Sequence, residues 1–347
     1  MPVTVVIGGQ FGSEGKGKTA LEIVRRNGSP VIVIRVGGPN SGHTAYARCG
    51  ERYVLRQLPA ACVDRNIDVV LPAGAYIDVD VLEAEIDRLD YPRERIHISE
   101  QARIVTREHQ EWEKEAKLVS RIGSTGSGVG GAVLASVARG ASNIDVKTKI
   151  ARDSARLRMY VDGNLSGRLR DHLSDGSRVV VEGTQGFGLS LSESGYWPQV
   201  TSRCTTAAGA LAEAGLSPMD VDDVTMVIRS FPIRVAGDSG PLRNETSWNA
   251  ISCARGLDRR LREFTSVTGL ERRVGEFDAN VVKEALRFNA PSRVVLNHLD
   301  YVGDEQDLLE RGSKVRQFIE NVERTIQRNV DWFGFSELGF YSWAREG

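Results

Sequence analysis

The sequence lacks the long apolar runs that are typical of membrane proteins. No apolar stretch within its 347 residues comes close to the roughly 18 residues that suggest a transmembrane helix. The amino-terminal residues read as a buried strand, without the basic segment or cleavage site of a secretory signal. We therefore expect a cytoplasmic protein without a membrane partner.

Cysteine and unbalanced charge are also scarce. The four cysteines, Cys49, Cys62, Cys204 and Cys253, have no C-x-x-C spacing and so give no indication of a zinc site or a disulfide framework. The 45 basic and 46 acidic residues leave a net charge of −1, which argues against a nonspecific binder of polyanions such as nucleic acids. We expect the ligand to be a small molecule.

Internal repeats, low-complexity tracts and proline-rich linkers are absent, which favours a single domain over residues 1–347 with long functional loops. Apolar runs predict strands at residues 4–7, 30–36, 68–72, 178–182, 224–229 and 292–297. Apolar residues spaced by three and four predict helices at residues 79–90, 108–123, 154–165, 281–290 and 312–330. This alternation is typical of an α/β fold with a mainly parallel central sheet flanked by helices, whose ligands bind beyond the carboxyl ends of the strands.

A loop rich in glycine and lysine follows the first predicted strand. Residues 8–19 read GGQFGSEGKGKT and lead into a helical pattern. Glycines let the backbone approach an anion, the start of a helix offers free N–H groups, and lysine adds positive charge. The loop differs from an ordinary Walker A loop by one more lysine, Lys16, between Gly12 and Gly17. It predicts a phosphate-binding site, and the alternative is a tight turn that binds no ligand.

Three further clusters combine glycine with polar residues. In residues 35–44, His43 is a candidate general acid or electrostatic stabiliser, although a lone histidine is more often structural. Residues 123–131 fit either a backbone nest for an anion or a flexible lid. At the end of the strand at 178–182, Glu182 or Gln185 would orient a polar heterocycle or serve only a capping or turn role.

Five motifs occur in the order and approximate spacing of one known family. They are G-x-Q-F-G-S-E-G-K-G-K, G-G-P-N-S-G-H-T, S-T-G-x-G-x-G, E-G-x-Q-G and V-T-S. The sequence thus resembles the adenylosuccinate synthetase family from its first strand to about Asp300. This resemblance implies a P-loop-like α/β fold and a ligase that joins L-aspartate to a 6-oxopurine nucleotide, with a nucleoside triphosphate and Mg²⁺. In the family the 6-oxygen is phosphorylated, and the aspartate amine then displaces that phosphate.

The resemblance also implies roles for individual residues. Lys16 would hold the transferring phosphoryl group near the 6-oxygen, His43 would be the acid, and the Gly42 carbonyl would bind Mg²⁺. The purine monophosphate would be bound by Gly12, Ser13, Asn40, Thr125, Gln185, Thr201 and the backbone at Val235. The nucleoside triphosphate would be bound by Gly15, Lys16, Gly17, Lys18, Thr19, Gly42, His43, Thr44, His298 and Asp300. Thr268 and Arg272 would bind aspartate, and Arg139 would reach across a homodimer to the nucleotide phosphate of the second copy.

Ser13 is the main departure from the family, which has an aspartate there that accepts the purine N1 proton and binds magnesium. A serine hydroxyl is a poor base and a weaker Mg²⁺ ligand than a carboxylate, but Ser13 is still expected as a catalytic residue and, with Gly42, as a ligand of the metal. Its short side chain leaves room for a 2-amino group beside purine N1 and C2. This resembles a viral branch of the family, which converts dGMP to 2-amino-2′-deoxy-N6-succinoadenylate on the route to 2-aminoadenine DNA.

Two other departures favour the same substrates. Leu270 replaces an arginine that serves the ribose hydroxyl and the aspartate, and its loss strands no polar partner if the sugar is a deoxyribose. Residues 297–300 read Asn-His-Leu-Asp instead of Thr-Lys-Leu-Asp, which favours ATP or dATP over GTP as the donor. We therefore expect a ligase for dGMP, L-aspartate and ATP or dATP. The alternatives are a synthetase that acts on IMP with GTP and a compensating base such as Glu14, and an inactive nucleotide-binding regulator.

Overall fold

The computed structural model describes residues 2–27, 31–258, 260–265, 269–336 and 339–342. Its central feature is a nine-stranded sheet whose strand pairings are all parallel. The strands of this sheet are β1 (Val3–Gly8), β2 (Val31–Arg35), β5 (Asp68–Leu71), β7 (Ile96–Ser99), β9 (Val161–Asp162), β10 (Arg178–Glu182), β11 (Val221–Arg229), β15 (Arg293–Asn297) and β16 (Trp332–Phe333). Their spatial order is β16-β15-β11-β1-β10-β2-β5-β7-β9.

Shorter strands lie outside this sheet. They are β3 (His43–Tyr46), β4 (Arg52–Leu55), β6 (Tyr76–Ile77), β8 (Arg103–Ile104), β12 (Ile233–Arg234), β13 (Glu245–Thr246) and β14 (Arg273–Gly275). The pairs β3–β4, β12–β14 and β13–β14 are antiparallel, whereas β6 and β8 are parallel.

The helices of the described residues cover the sheet on both faces. They are α1 (Lys16–Arg26), α2 (Val79–Leu89), α3 (Arg107–Glu115), α4 (Leu118–Ile122), α5 (Val129–Ala138), α6 (Leu165–Ser174), α7 (Ala207–Ala214), α8 (Trp248–Arg255), α9 (Ala279–Asn289) and α10 (Lys314–Ile326). Helices α6, α7, α9 and α10 contribute to one large apolar core, and α1 and α2 contribute to the other. Alternate residues of the same strand serve the two cores, as Val5 and Val6 of β1 do, because successive strand side chains point to opposite faces. The α/β fold predicted from the sequence is confirmed.

The register of the parallel strands brings charged and polar residues together at one edge. Glu182 of β10 lies opposite Arg35 of β2, and Arg229 of β11 lies opposite Asn297 of β15. Each of these four residues ends its strand, so they meet at the carboxyl edge of the sheet, where ligands of open α/β folds bind.

Most predicted elements are present, but one helix prediction is wrong. Residues 154–165 form turns and the short strand β9, and the helix there is α6, which begins at Leu165. The misleading spacing came from Leu157 and Tyr160, which are buried in the core as parts of turns. The helix predicted at 108–123 is divided into α3 and α4 at Lys117, whose φ of 55° is incompatible with a continuous helix.

Among the described residues, none of the helices has the length and apolar character needed to cross a membrane.

Candidate active site

A cleft of about 1480 Å³ lies over the carboxyl edge of the sheet. The predicted site residues that line it are Gly12, Ser13, Gly15, Lys16, Gly17, Lys18, Asn40, Gly42, His43, Thr44, Thr125, Gln185, Thr201, Val235, Arg272, His298 and Asp300. Residues from motifs far apart in the sequence are thus brought to one cavity, although their individual roles stay predictions.

Several described residues that the sequence analysis singled out do not line the cleft. The Thr19 hydroxyl is turned back onto the Gly15 carbonyl within α1, at 3.0 Å, and the side chain is buried. Arg139 follows the last residue of α5 and is exposed outside the cleft. Leu270 is 54% exposed and does not line the cleft. Thr268 lies outside the described residues.

The loop after β1 is organised around the buried carboxylate of Glu14. Glu14 Oε1 accepts from the backbone N–H groups of Gln10 and Gly12 at 3.1 and 2.8 Å, and Oε2 accepts from Lys16 Nζ at 2.7 Å. Glu14 is fully buried and does not line the cleft. The Glu14 oxygens hold the loop and Lys16 and do not face the cleft, so this structure gives no support to Glu14 as a compensating base, which stays a prediction.

Ser13 lies at the turn of this loop with a left-handed φ of 56°. Its carbonyl accepts hydrogen bonds from Arg229 Nη1 at 3.0 Å and from His298 Nε2 at 3.1 Å. Both bonds are made by the backbone, so the loop is anchored there without the serine side chain. Asp and Asn adopt such a φ more readily than most residues, and the backbone alone does not explain a serine at this position.

Glu182 orients His43, which resolves the alternatives left open for Glu182. Its Oε1 lies 2.6 Å from His43 Nδ1 and also pairs with Arg35 Nη1, while Oε2 accepts from the Ala60 N–H at 2.9 Å. Although burial by itself raises the pKa of Glu182, its contacts with His43 and Arg35 lower it to about 2. The sequence analysis proposed that Glu182 orients a heterocycle or only caps a turn, and the structure instead gives it the imidazole of His43 as partner.

His43 is neutral in this arrangement. Burial and the positive charge of Arg35 lower its pKa to about 4, against the opposing effect of Glu182. His43 Nδ1 lies 2.6 Å from Glu182 Oε1, which can only accept, and 2.7 Å from Arg35 Nη1, which can only donate, so these contacts do not assign the proton of the neutral ring to one nitrogen. Nε2 is buried and has no partner in the described chain.

Several other cleft-lining residues have buried polar atoms without partners among the described residues. These atoms are Asn40 Oδ1, Gln185 Nε2, Arg234 Nε and Nη1, Arg272 Nε, Asn297 Oδ1 and Asp300 Oδ1. Buried polar groups are nearly always hydrogen-bonded in native proteins, and an unpaired one costs free energy. Their concentration around one cavity indicates a polar ligand with both donors and acceptors.

A group of charges that the sequence analysis missed surrounds Glu263. Arg229 forms a two-point ion pair with Glu263, Tyr301 donates its hydroxyl to Glu263 Oε1 at 2.7 Å, and Arg272 Nη1 lies 3.4 Å from Oε2. Burial raises the pKa of Glu263, but Arg229 outweighs it and holds that pKa well below its usual range. Two guanidinium groups share one carboxylate here, so the cluster carries one excess positive charge beside the cleft.

The glycine-rich residues 123–131 form a backbone nest, but a protein carboxylate occupies part of it. Glu113 of α3 is buried and accepts from the N–H groups of Gly128 and Gly130 at 3.0 and 2.6 Å, at the start of α5. Thr125 lies next to these glycines and shares a 2.8 Å hydrogen bond with Ser127. The nest therefore holds the loop against α3, and Thr125 is left to line the cleft.

At the other end of the cleft, the chain after β15 approaches the lysine-rich loop. Lys18 Nζ donates to the Ser336 carbonyl at 2.9 Å and lies 4.2 Å from the centre of the Phe340 ring. Burial and Arg229 lower the pKa of His298 to about 3, so its ring is neutral and donates its Nε2 proton to Ser13. Burial raises the pKa of Asp300.

The residues predicted to bind magnesium fit an ion that arrives with a nucleotide. In the described chain, no group of three or more His, Cys, Asp or Glu side chains is arranged to hold a metal. Ser13 and Gly42 line the same cleft as Lys16 and Lys18, and they offer a hydroxyl and a carbonyl oxygen. Mg²⁺ prefers oxygen ligands, keeps several waters and often takes the remainder from substrate phosphates. These two neutral oxygens are compatible with that mode of binding.

Comparison with known proteins identifies the family of this chain. The family model for adenylosuccinate synthetase matches residues 5–164 and 147–311. The chain is 35% identical over 337 residues to the adenylosuccinate synthetase of Pyrococcus sp. strain ST700, covering 94% of this chain and 93% of that protein.

Two solved structures are similar over nearly the whole chain. One is the cyanophage S-2L succinoaminodeoxyadenylate synthetase bound to dGMP and to dATP as an energy donor. Its TM-score is 0.80 at 27% identity, with 98% of this chain and 95% of that chain covered. The fully ligated adenylosuccinate synthetase of Plasmodium falciparum has a TM-score of 0.83 at 19% identity, with 97% and 98% covered, which supports the fold. The chain belongs to the adenylosuccinate synthetase family of carbon–nitrogen ligases.

Proposed function

We propose that this ligase joins L-aspartate to dGMP, with ATP or dATP as phosphoryl donor, and releases 2-amino-2′-deoxy-N6-succinoadenylate, a nucleoside diphosphate and phosphate. The observation that carries the proposal is Ser13, which lines the cleft at the position where the resemblance leads one to expect an aspartate. A hydroxyl there leaves room for the 2-amino group of guanine. The cyanophage protein, which is bound to dGMP and dATP, supports this assignment. The higher identity to the Pyrococcus synthetase leaves IMP as the competing substrate.

The first step transfers a phosphoryl group from the donor to the purine 6-oxygen. Phosphoryl transfer depends mainly on positioning and on neutralising charge. Lys16, held by Glu14 at 2.7 Å, would supply positive charge near the reacting oxygen, and Lys18 would lie toward the rest of the triphosphate. When bound, Mg²⁺ at Gly42 and Ser13 would offset the charge of the phosphates.

His43 would act through Nε2, its unpartnered nitrogen. The neutral ring takes up a proton when anionic phosphates enter the cleft and raise its pKa, and the imidazolium is stabilised by Glu182 at Nδ1. Nε2 can then donate to the oxygen or phosphate that gains negative charge. The N1 proton of the purine passes to water as the 6-oxygen is phosphorylated. When the aspartate amine forms the new bond to C6, the C6–O bond breaks, phosphate leaves with its electron pair, and the amine nitrogen gives up a proton to water.

The excess positive charge beside Glu263 would bind a carboxylate of L-aspartate. Arg272 has a buried Nε without a partner in the described chain, and its one contact with Glu263 is long, at 3.4 Å. An arginine with unused donors suits a carboxylate because its planar group can bind both oxygens. Arg229 is already neutralised by Glu263, so Arg272 is the better ligand.

The residues at 297–300 favour adenine in the donor. His298 gives its only ring proton to the Ser13 carbonyl, and it therefore has none to offer a guanine 6-oxygen. Asp300 has an unpartnered buried oxygen that can accept from the exocyclic amino group of adenine.

Arg139, exposed beyond α5, would reach the nucleotide phosphate of a second copy in a homodimer, and each copy would act as one catalytic domain.

The test is to offer dGMP, GMP and IMP separately to the purified protein with Mg²⁺, L-aspartate and ATP or dATP, and to follow phosphate release. We expect dGMP to be the preferred substrate, by about tenfold or more over GMP. A His43→Gln variant prepared in the same way controls for synthetase activity from the expression host. Turnover of IMP without dGMP would support the ordinary synthetase, and tight dGMP binding without turnover of any nucleotide would support the regulator.

A further inference from the structure

Arg203 and Gln185 form a contact that the proposed mechanism does not yet use. Arg203 follows the V-T-S motif, is 7% exposed, and donates from Nη2 to Gln185 Oε1 at 2.9 Å and to Thr184 Oγ1 at 2.7 Å. The Gln185 side chain lines the cleft, but its polar end is buried against Arg203.

This contact fixes which way the Gln185 amide is turned. A guanidinium group has only donors, so the amide atom that faces Nη2 must be the oxygen. The other amide atom, Nε2, is buried and has no partner in the described part of the chain. Gln185 therefore presents a hydrogen-bond donor, and the reverse orientation would set two N–H groups against each other.

Arg203 is itself held from two other elements. Its Nη1 pairs with both carboxylate oxygens of Glu213 in α7, at 2.5 Å each. Gly37, which follows β2 with a φ of 93°, packs directly on it, and a Cβ there would lie 2.6 Å from Arg203 Nη2. The guanidinium is thus fixed before any ligand binds, as the orientation of a recognition group requires.

We propose that Arg203 is a positioning residue that locks the Gln185 amide with its donor available, and thereby sets a preference for 6-oxo over 6-amino purine nucleotides. The inference rests on the proposed function, and it takes Gln185, which lines the cleft and is expected to bind the purine monophosphate, to meet the purine ring at its 6-position. A 6-oxo purine accepts from Nε2, whereas a 6-amino purine would present N–H to N–H. A freely turning amide can serve either base, because its oxygen accepts from a 6-amino group.

The measured quantity is the ratio of the inhibition constant of dAMP to the KM of dGMP. Removing the lock should lower this ratio by about tenfold, since the amide oxygen becomes available to dAMP and the donor is no longer reserved for dGMP. Arg203→Met leaves the Glu213 carboxylate unpaired, which could destabilise the protein by itself. The double variant Arg203→Met/Glu213→Gln removes that charge and is therefore tested beside the single variant. Arg203→Lys keeps a donor and should retain most of the wild-type ratio.

Arg170→Met is the matched control, because Arg170 forms a similar two-point pair with Asp220, at 2.7 and 2.8 Å, away from the cleft. A loss of stability alone would weaken dGMP and dAMP alike and leave the ratio unchanged. An unchanged ratio in both the single and the double Arg203 variants overturns the proposal.

A further variant shows whether an unchanged ratio refutes the role of Arg203 or the proposed function. If Gln185→Leu leaves the ratio unchanged, Gln185 does not meet the 6-position, and the assumed binding mode is wrong. If IMP proves to be the substrate, the same ratio is measured against IMP, which also carries a 6-oxygen, so the role of Arg203 is still tested.

Discussion

The neutral, buried state of His43 predicts a defined loss of stability on acidification. Its pKa falls from 6.5 to about 4 through burial and Arg35, so between these values the unfolded chain binds a proton that the folded chain does not. Stability therefore rises with pH across this window and is lost as the pH falls through it. From these two pKa values, the loss at pH 5 relative to pH 8 is about 2 kcal/mol.

The assay is urea unfolding of the wild type and of His43→Asn at pH 8 and pH 5. Asparagine can still donate to Glu182 but does not titrate, so its loss between the two pH values should be smaller than that of the wild type by about 2 kcal/mol. Glu182 adds little to this difference, because its pKa is lowered from 4.5 to about 2 and its contribution is lost mainly below pH 4.5. Equal losses in the two proteins would refute the neutral histidine and the mechanism that protonates it on nucleotide binding.

Three further predictions concern the loops around the cleft. Ser13→Asp should reduce kcat/KM for dGMP by about tenfold and leave the KM for ATP nearly unchanged, since it fills the space assigned to the 2-amino group; unchanged dGMP kinetics would mean that Ser13 does not face the base. Glu263→Gln should lower the KM for L-aspartate by about tenfold, because it removes the negative charge that offsets Arg229 and so adds to the positive charge that the substrate carboxylate meets, whereas Glu245→Gln, which breaks a more exposed arginine pair, should leave this KM unchanged. Gly37→Ala should cost about 2 kcal/mol more in urea unfolding than Gly50→Ala, since both have positive φ but only the Gly37 Cβ meets atoms within 4 Å, and equal costs would contradict the close packing over Arg203.

The strands of the central sheet that consist of continuous apolar runs were predicted correctly from the sequence. Each of the six apolar runs forms a strand of the central sheet, because β-branched residues buried on both faces leave little alternative. The helix predicted at 154–165 failed because Leu157 and Tyr160 are buried at helical spacing by turns. Apolar residues spaced by three or four indicate that these side chains face the same core, but turns can place them there as well as a helix.

The sequence predicted residues that line the cleft where they belong to motifs. It did not predict residues outside the motifs that hold those motifs in place through contacts made only in the folded chain. Glu113, Arg203 and Glu263 each hold a motif residue or its loop, but their partners are defined only by the tertiary fold. One signal was available in the sequence. Arg35 and Arg229 are charged residues that end buried apolar strands, and a charge at that position points to a partner at the carboxyl edge of the sheet.

The backbone contacts of Ser13 connect its loop to both of the proposed substrate sites that flank it. Its carbonyl is held by Arg229, which belongs to the proposed aspartate site, and by His298, which belongs to the proposed donor site. Asn297 extends the second link by donating to the Glu14 carbonyl at 2.8 Å. Both flanking segments are therefore bonded to the loop that carries Ser13 and Lys16. A substitution at residue 13 changes the side chain that we propose to meet the purine while the backbone keeps these links, which is the condition under which substrate preference can change without loss of the phosphate site.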